Sequence, residues 1–323
     1  MSNNVRAILV GCGNMGCEYI KVLDEIGVDS IVVGNSERGC EVFAQNTGHE
    51  AFSGGIRKVL DSLEELPQYA IVATPINTLA DATIALLQNG VTNILVEKPA
   101  GICKEEIVSI EELAKRNNAN IYVAYNRRFY ASTKKALEII REDGGISSIN
   151  FEFTEWADTI EKISNPMEEK ENWLLANSSH VIDLAFLLAG MPKEITSYVN
   201  GELSWHHNGA VYAGAGITTK GALFSYNANW KAPGRWSIEA LTSKHRLILC
   251  PMETLQIQNL NSISKEYLSL DDSMDKAFKP GLYEQVKTFL FNQKDDRLLR
   301  IEEHCQQLDF FEQIAGLSGK SSM

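Results

Sequence analysis

The chain has 323 residues, 44% apolar and 22% charged, with 23 glycines and 8 prolines, a balance that excludes disorder, a collagen repeat and a small disulfide-stapled fold. Subtracting 42 acidic from 30 basic residues leaves a net charge of −12, and with no segregated basic patch such a surface repels phosphate backbones and anionic headgroups, so no nucleic acid and no membrane is expected as a partner. No apolar run approaches the roughly 20 residues a bilayer crossing needs, the 6 cysteines form no C-x-x-C pair, and the amino terminus runs straight into an apolar strand; reduced thiols and a cytoplasmic location are the expectation.

Five short runs rich in Ile and Val punctuate the first third: AILVG at 7–11, SIVVG at 30–34, AIVATP at 70–75, NILVEKP at 93–99 and NIYVAYN at 120–126. Being apolar on both alternating faces, they read as parallel strands buried under helices. Helical spacing lies between them: Tyr19, Ile20, Leu23 and Ile26 mark one helix over 16–26, and 79–87 is a second, closed by Asn89 and Gly90. A third, over 105–116, carries Ile107, Ile110, Leu113 and Ala114 on one face. Strand and helix in such alternation predict a doubly wound parallel sheet of the Rossmann type over residues 1–124.

The rhythm then changes. A helix over 132–141 stops at Gly144 and Gly145, a strand follows over 146–153, and the acidic stretch 161–171 reads as an exposed loop able to act as a lid. Another helix, over 178–188, is closed by Gly190 and Pro192. Several β-type runs between 194 and 260 predict a large, open, mainly antiparallel sheet, and 283–317 returns to helical periodicity. Residues 125–323 are thus expected as a second α/β domain. Its open sheet asks to be covered, so a homodimer or homotetramer is expected.

The loop Gly11-Cys12-Gly13-Asn14-Met15-Gly16 follows the first strand and opens the first helix. That context gives the G-x-G-x-x-G spacing a mechanism: Gly11 makes the tight turn, Gly13 lets backbone amides reach a pyrophosphate, and Gly16 lets helix and strand pack closely, with Asn14 and Met15 in the helix's first turn. At the end of the second strand a carboxylate selects the unphosphorylated ribose of NAD. Here that position reads Gly34-Asn35-Ser36-Glu37-Arg38. With no acid at Asn35, and with Ser36 and Arg38 as donors, NADP is favoured over NAD, Glu37 being the counter-argument. The Cys12 thiol reads as structural.

Lys98 stands at the carboxyl end of the fourth strand, where ligands of a doubly wound sheet bind, and Pro99 restricts its backbone. Such an ammonium can bond the substrate hydroxyl whose proton leaves with hydride transfer. The adjacent His206-His207 points to opposite faces of a strand and has no further ligands at metal spacing, so no metal site is expected.

Taken in order, GCGNMG, IVATPINT, VEKPAG and AYNRRF resemble the Gfo/Idh/MocA oxidoreductase family. The resemblance is densest over 7–129. It implies an N-terminal Rossmann domain, a C-terminal α/β domain that often mediates oligomers, and hydride transfer between a nicotinamide and a secondary alcohol or ketone of a sugar, polyol or nucleotide-sugar. It places Thr74, Pro75, Asn77 and Glu97 at the cofactor with Lys98, makes Lys98 catalytic or substrate-orienting, and sets Asn126 and Arg127 in the cleft, where an arginine can grip a carboxylate or pyrophosphate of the substrate; the alternative is that Arg127 and Arg128 pair with acids across the domain boundary. The family's D-x-x-x-H-x-x-D helix maps onto 176–183, with His180 as acid or base and Asn177 and Asp183 as further ligands. Trp173, just upstream, and with it Trp230 and Trp236, are candidates to stack on sugar rings, the alternative being core or interface packing. Two positions depart from the pattern: Ala176 stands where the first aspartate is expected, and Leu79 where many relatives carry a histidine. Redox-assisted elimination or glycoside cleavage with a tightly held NAD, and a non-catalytic dinucleotide-binding regulator, remain as alternatives.

Overall fold

The structure, a computed structural model, describes residues 5–317. In chain order it begins with β1 (Arg6–Val10), α1 (Asn14–Ile26), β2 (Asp29–Val33), α2 (Glu37–Thr47), α3 (Gly55–Leu60), β3 (Tyr69–Val72), α4 (Leu79–Gln88), β4 (Asn93–Glu97), α5 (Lys104–Asn117) and β5 (Asn120–Ala124). All five strands are parallel. Ile8, Leu9, Ile71, Val72, Ile94 and Leu95 are wholly buried, which is why these strands read as unbroken apolar runs.

Next come α6 (Ala131–Glu142), β6 (Ser148–Glu152), α7 (Ala157–Lys162), α8 (Met167–Glu171), a π-helical turn (Leu174–Ser178) and α9 (Ser179–Ala189). Seven strands follow, β7 (Pro192–Asn200), β8 (Val211–Thr218), β9 (Leu223–Asn229), β10 (Ser237–Leu241), β11 (His245–Leu249), β12 (Gln256–Asn259) and β13 (Glu266–Tyr267). The chain closes with α10 (Ser273–Ala277), α11 (Leu282–Phe291), β14 (Leu299–Arg300) and α12 (Ile301–Ile314).

Two sheets result. One has the order β14-β5-β4-β3-β1-β2, with β14 antiparallel on the edge; the other has the order β13-β12-β11-β10-β6-β9-β8-β7 and is antiparallel except for the β6–β9 pair. Along β9 burial alternates strictly, Phe224, Tyr226 and Ala228 inward against exposed Leu223, Ser225 and Asn227, as a sheet covered on one face requires.

The chain divides into two compact units, one of residues up to Asn126 with Met274–Cys305, the other of Arg127–Ser273 with the residues from Gln306. The continuous division at 124/125 expected from sequence therefore misses a returning segment. Packing explains the return: Phe289 of α11 sets its ring edge-on against Tyr69 and Tyr122, at 5.6 and 5.9 Å, and β14 pairs with β5. The stretch 161–171 also differs from expectation. Much of it is helical, Asn165 bonds Glu169 at 2.8 Å, and the buried Lys170 ammonium donates to the Glu161 carbonyl at 2.9 Å.

Candidate functional site

In the first unit, Gly11 has φ 126°, and a Cβ there would collide with the Ala73 carbonyl, while one on Gly16 would strike the Gly11 carbonyl. These two glycines are demanded by the backbone itself. Gly13 differs: a Cβ would meet nothing within 4 Å, so its lack of a side chain leaves open space. It is the N-cap of α1, with no side-chain hydrogen bond to the first turn, and Asn14 and Met15 begin the helix there. Open space over amides awaiting an acceptor suits a pyrophosphate.

A cavity of about 370 Å³ extends from this loop, lined among others by Gly34, Asn35, Arg57, Thr74, Pro75 and Asp81. The Thr74 hydroxyl is buried with no hydrogen-bond partner among the described residues. An orphaned hydroxyl, uncapped amides and a roomy pocket at the strand ends fit the adenosine half of a dinucleotide. Arg38 is exposed and does not line the cavity; the Ser36 oxygen caps α2, accepting from the Gly39 N–H at 3.1 Å. The cation that does line it is Arg57, paired with Asp81 at 2.6 Å. Sequence reading missed Arg57 because no motif marks the start of α3. Asn77 is exposed on the short turn Ile76–Thr78, outside the cavity lining.

At the end of β4, Glu97 accepts a 2.8 Å hydrogen bond from the Tyr19 hydroxyl, tying strand to α1. Burial pushes the Glu97 carboxyl up from its ordinary range, against the opposing pull of Tyr19, Lys98 and Lys279. Lys98 follows, half-buried, and its peptide bond to Pro99 is cis. The fully buried His304 braces this turn by donating from Nε2 to the Pro99 carbonyl at 3.0 Å. Lys279 reaches the Met15 sulfur at 2.9 Å, which adds a second cation to the glycine-loop end of this unit. Nothing local in sequence signals Lys279, 264 residues away. The Asn126 amide donates to the Pro280 carbonyl at 2.9 Å, so that donor holds the returning segment.

In the second unit, the π turn carries the chain into α9 and sets His180 as the second residue of that helix; single π turns are frequent at functional sites. His180 lies against Trp236, ring centroids 6.2 Å apart. Asp183 is 1% exposed, and its oxygens accept from Arg128 at 2.8 and 2.5 Å and from Gln307 at 2.8 Å. Fully enclosed and bonded, it anchors Arg128. Trp173 is likewise buried, edge-on to Trp205, which stacks on Trp230; that cluster also contains His206, whose Nδ1 contacts the Gly209 carbonyl at 2.9 Å. Trp173 is 8% exposed in this cluster and His180 5%.

Sequence reading did not single out Glu155. This carboxylate, 2% exposed just beyond β6, accepts from the Ser178 hydroxyl at 2.7 Å and the Asn177 amide at 3.0 Å, with Arg235 at 3.6 Å. Burial pushes its pKa up, while Ser178, Asn177 and Arg235 pull it down. The π turn that carries the buried Ala176 is thus held by a carboxylate supplied from another element. Among the described residues no three His, Cys, Asp or Glu side chains are grouped to hold a metal, and no helix is long and apolar enough to cross a membrane.

Residues 5–125 match the model of the oxidoreductase family with the NAD-binding Rossmann fold, Gfo/Idh/MocA. A scyllo-inositol 2-dehydrogenase (NADP(+)) of Bacillus subtilis is 24% identical over 210 residues, an alignment covering 61% of this chain and 55% of that relative's length. Among solved structures, an oxidoreductase from Agrobacterium radiobacter in complex with NAD+, L-tartaric acid and magnesium superimposes with a TM-score of 0.82 at 10% identity, over 98% of this chain and 97% of that one. UDP-N-acetylglucosamine 3-dehydrogenase from Acidithiobacillus ferrooxidans does so with a TM-score of 0.74 at 15% identity, over 97% of each. The glycine loop, the parallel sheet and the lysine at the end of β4 all lie in the segment, residues 5–125, that matches the Gfo/Idh/MocA oxidoreductase model.

Proposed function

We propose that the chain is an NAD(P)-dependent dehydrogenase or reductase acting on a secondary alcohol or ketone of a sugar, polyol or nucleotide-sugar. The observation that carries this reading is the placement of Lys98 at the same strand ends as the uncapped glycine loop, because a doubly wound sheet binds ligand there. Bound nicotinamide supplies or accepts the hydride. Lys98 holds the substrate oxygen and stabilises the charge that develops on it, and His180 exchanges the hydroxyl proton. Glu155 orients Asn177 and Ser178, and so fixes the turn that presents His180.

Of the two nicotinamide cofactors we favour NADP. The two residues directly after β2, Gly34 and Asn35, carry no carboxylate, the exposed Glu37 lies outside the cavity lining, and Asn35 and Arg57 line the cavity on that side; the Bacillus relative is named for NADP(+). Asp81, already paired with Arg57, is the residue whose repulsion of a 2′-phosphate Arg57 must outweigh. We further propose a cytoplasmic homodimer or homotetramer formed through the open face of the second sheet, where Tyr198 and Leu223 are 71% and 60% exposed.

Fluorescence titration with NADPH and NADH, followed by turnover of a sugar and polyol panel, tests the reading. Expected are tight binding of at least one cofactor, turnover by the wild type, and loss of turnover with retained cofactor binding in Lys98→Ala. Binding without turnover of any alcohol or ketone would favour the regulatory reading that Ala176 supports, and a product formed with no net change in cofactor would favour redox-assisted elimination.

A further inference from the structure

The second unit contains a ladder of alternating rings and guanidinium groups. The Arg235 guanidinium carbon lies 4.6 Å from the Trp156 ring centroid and 4.8 Å from that of Trp236; that of Arg127 lies 4.7 Å from Trp236 and 5.9 Å from Tyr130. Arg127 sits in the turn that follows β5, Trp236 immediately precedes β10, and His180 packs on the same Trp236 ring.

Cation–π contacts fix where an arginine lies without consuming its N–H donors. Here the donors are left over. Neither guanidinium makes a hydrogen bond to an acceptor among the described residues, Arg127 has no carboxylate within 4 Å there, and the one ion pair of Arg235 is the 3.6 Å approach to Glu155. Neither guanidinium has a fully buried nitrogen lacking a partner, so their polar edges stay reachable. Desolvation pulls the Arg127 pKa down, and neighbouring Arg235 adds to this. Glu253 and Glu155 partly offset this for Arg127, though neither comes within ion-pair distance, while Arg235, its side chain 49% exposed, keeps its only carboxylate, Glu155, at 3.6 Å. An uncompensated buried cation is costly to keep, and a rigid planar fork is matched by an oxyanion, carboxylate or phosphate.

We propose that Arg127 and Arg235, held against Trp236 beside His180, form an oxyanion receptor, so that the substrate is an anionic polyol or sugar, an aldonic or uronic acid or a sugar phosphate, rather than a neutral one. This rests on the dehydrogenase reading only for the word substrate; the receptor itself is a binding site that stands or falls alone.

Isothermal titration of the full chain with D-gluconate, glucose 6-phosphate and the neutral polyol D-glucitol tests it. At least one anion should bind about tenfold or more tighter than glucitol, since hydrogen bonds to charged groups are stronger than those between neutral ones, and raised salt should erode the difference. Gluconate and glucose 6-phosphate separate the carboxylate from the phosphate as the group received. Arg127→Met and Arg235→Met should each reduce the preference and together abolish it, while thermal melting and NAD(P)H binding stay as in wild type; Arg127→Lys, which keeps charge without the fork, should retain part and guards against loss of folding in the Met variants. Equal binding of charged and neutral members, no binding of either anion, or a preference that survives the double variant overturns the proposal. An arginine-dependent anion preference without turnover of any alcohol would leave the receptor standing and remove the dehydrogenase reading.

Discussion

Glu155 and Asp183 are both buried carboxylates of the second unit, and their surroundings give them different work. Asp183 is enclosed by Arg128 and Gln307, so Asp183→Asn should remove the charge that Arg128 needs and cost about 3–5 kcal/mol in urea denaturation, as expected when a buried pair loses one partner. Glu155 is held mainly by neutral donors and its pKa is raised from 4.5. For an acid with a raised folded value, the neutral form's contribution to stability is fully present below the unfolded value and is lost as pH rises through the folded one. Stability measured from pH 4 to pH 8 should therefore fall in wild type relative to Glu155→Gln, which keeps a neutral acceptor; parallel profiles would show that the carboxylate is not strained by burial. If Glu155 positions the His180 turn as proposed, the same variant should lower kcat more than it raises KM.

The loop between β1 and α1 separates two uses of glycine that a motif alone does not distinguish. In Gly16→Ala the new methyl strikes the Gly11 carbonyl, so both folding and dinucleotide binding should suffer. In Gly13→Ala the methyl enters open space over the helix N-terminus. Its melting temperature should stay near wild type while dinucleotide affinity drops by tenfold or more, about 1.4 kcal/mol; an unchanged affinity in the fluorescence titration would remove the pyrophosphate from this turn. Most helices and strands were legible, because their burial is periodic: 79–87 and 105–116 fall within α4 and α5, and the β-type runs between 194 and 260 overlap β7 to β12. The π turn was not, since Leu174–Ser178 has no pattern that sets it apart from the start of α9. Nor was β14, whose two residues form a strand only because β5 offers them an open edge.

The second sheet leaves Ala213, Ala215, Ser225 and Asn227 exposed on one face with Tyr198 and Leu223, small and flat enough to meet a second copy. In the proposed assembly Leu223→Glu should shift the mass measured by light scattering toward a monomer without changing the far-ultraviolet spectrum; an unchanged mass would place the contact elsewhere.

The sequence by itself determined the doubly wound domain, the glycine loop and Lys98 beyond a strand end, because each is written in neighbouring residues through local sterics and periodicity. Tertiary structure alone decided which side chains keep donors and acceptors to spare. Asp183 and Trp173 looked available in the sequence and are enclosed, whereas Glu155, Arg57 and Lys279 carried no motif and lie beside the π turn, the cavity at the strand ends and the glycine loop. Burial and hydrogen bonding are sums over residues far apart in the chain: Asp183 is closed by groups 55 and 124 residues away. Such sums exist only once the chain has folded.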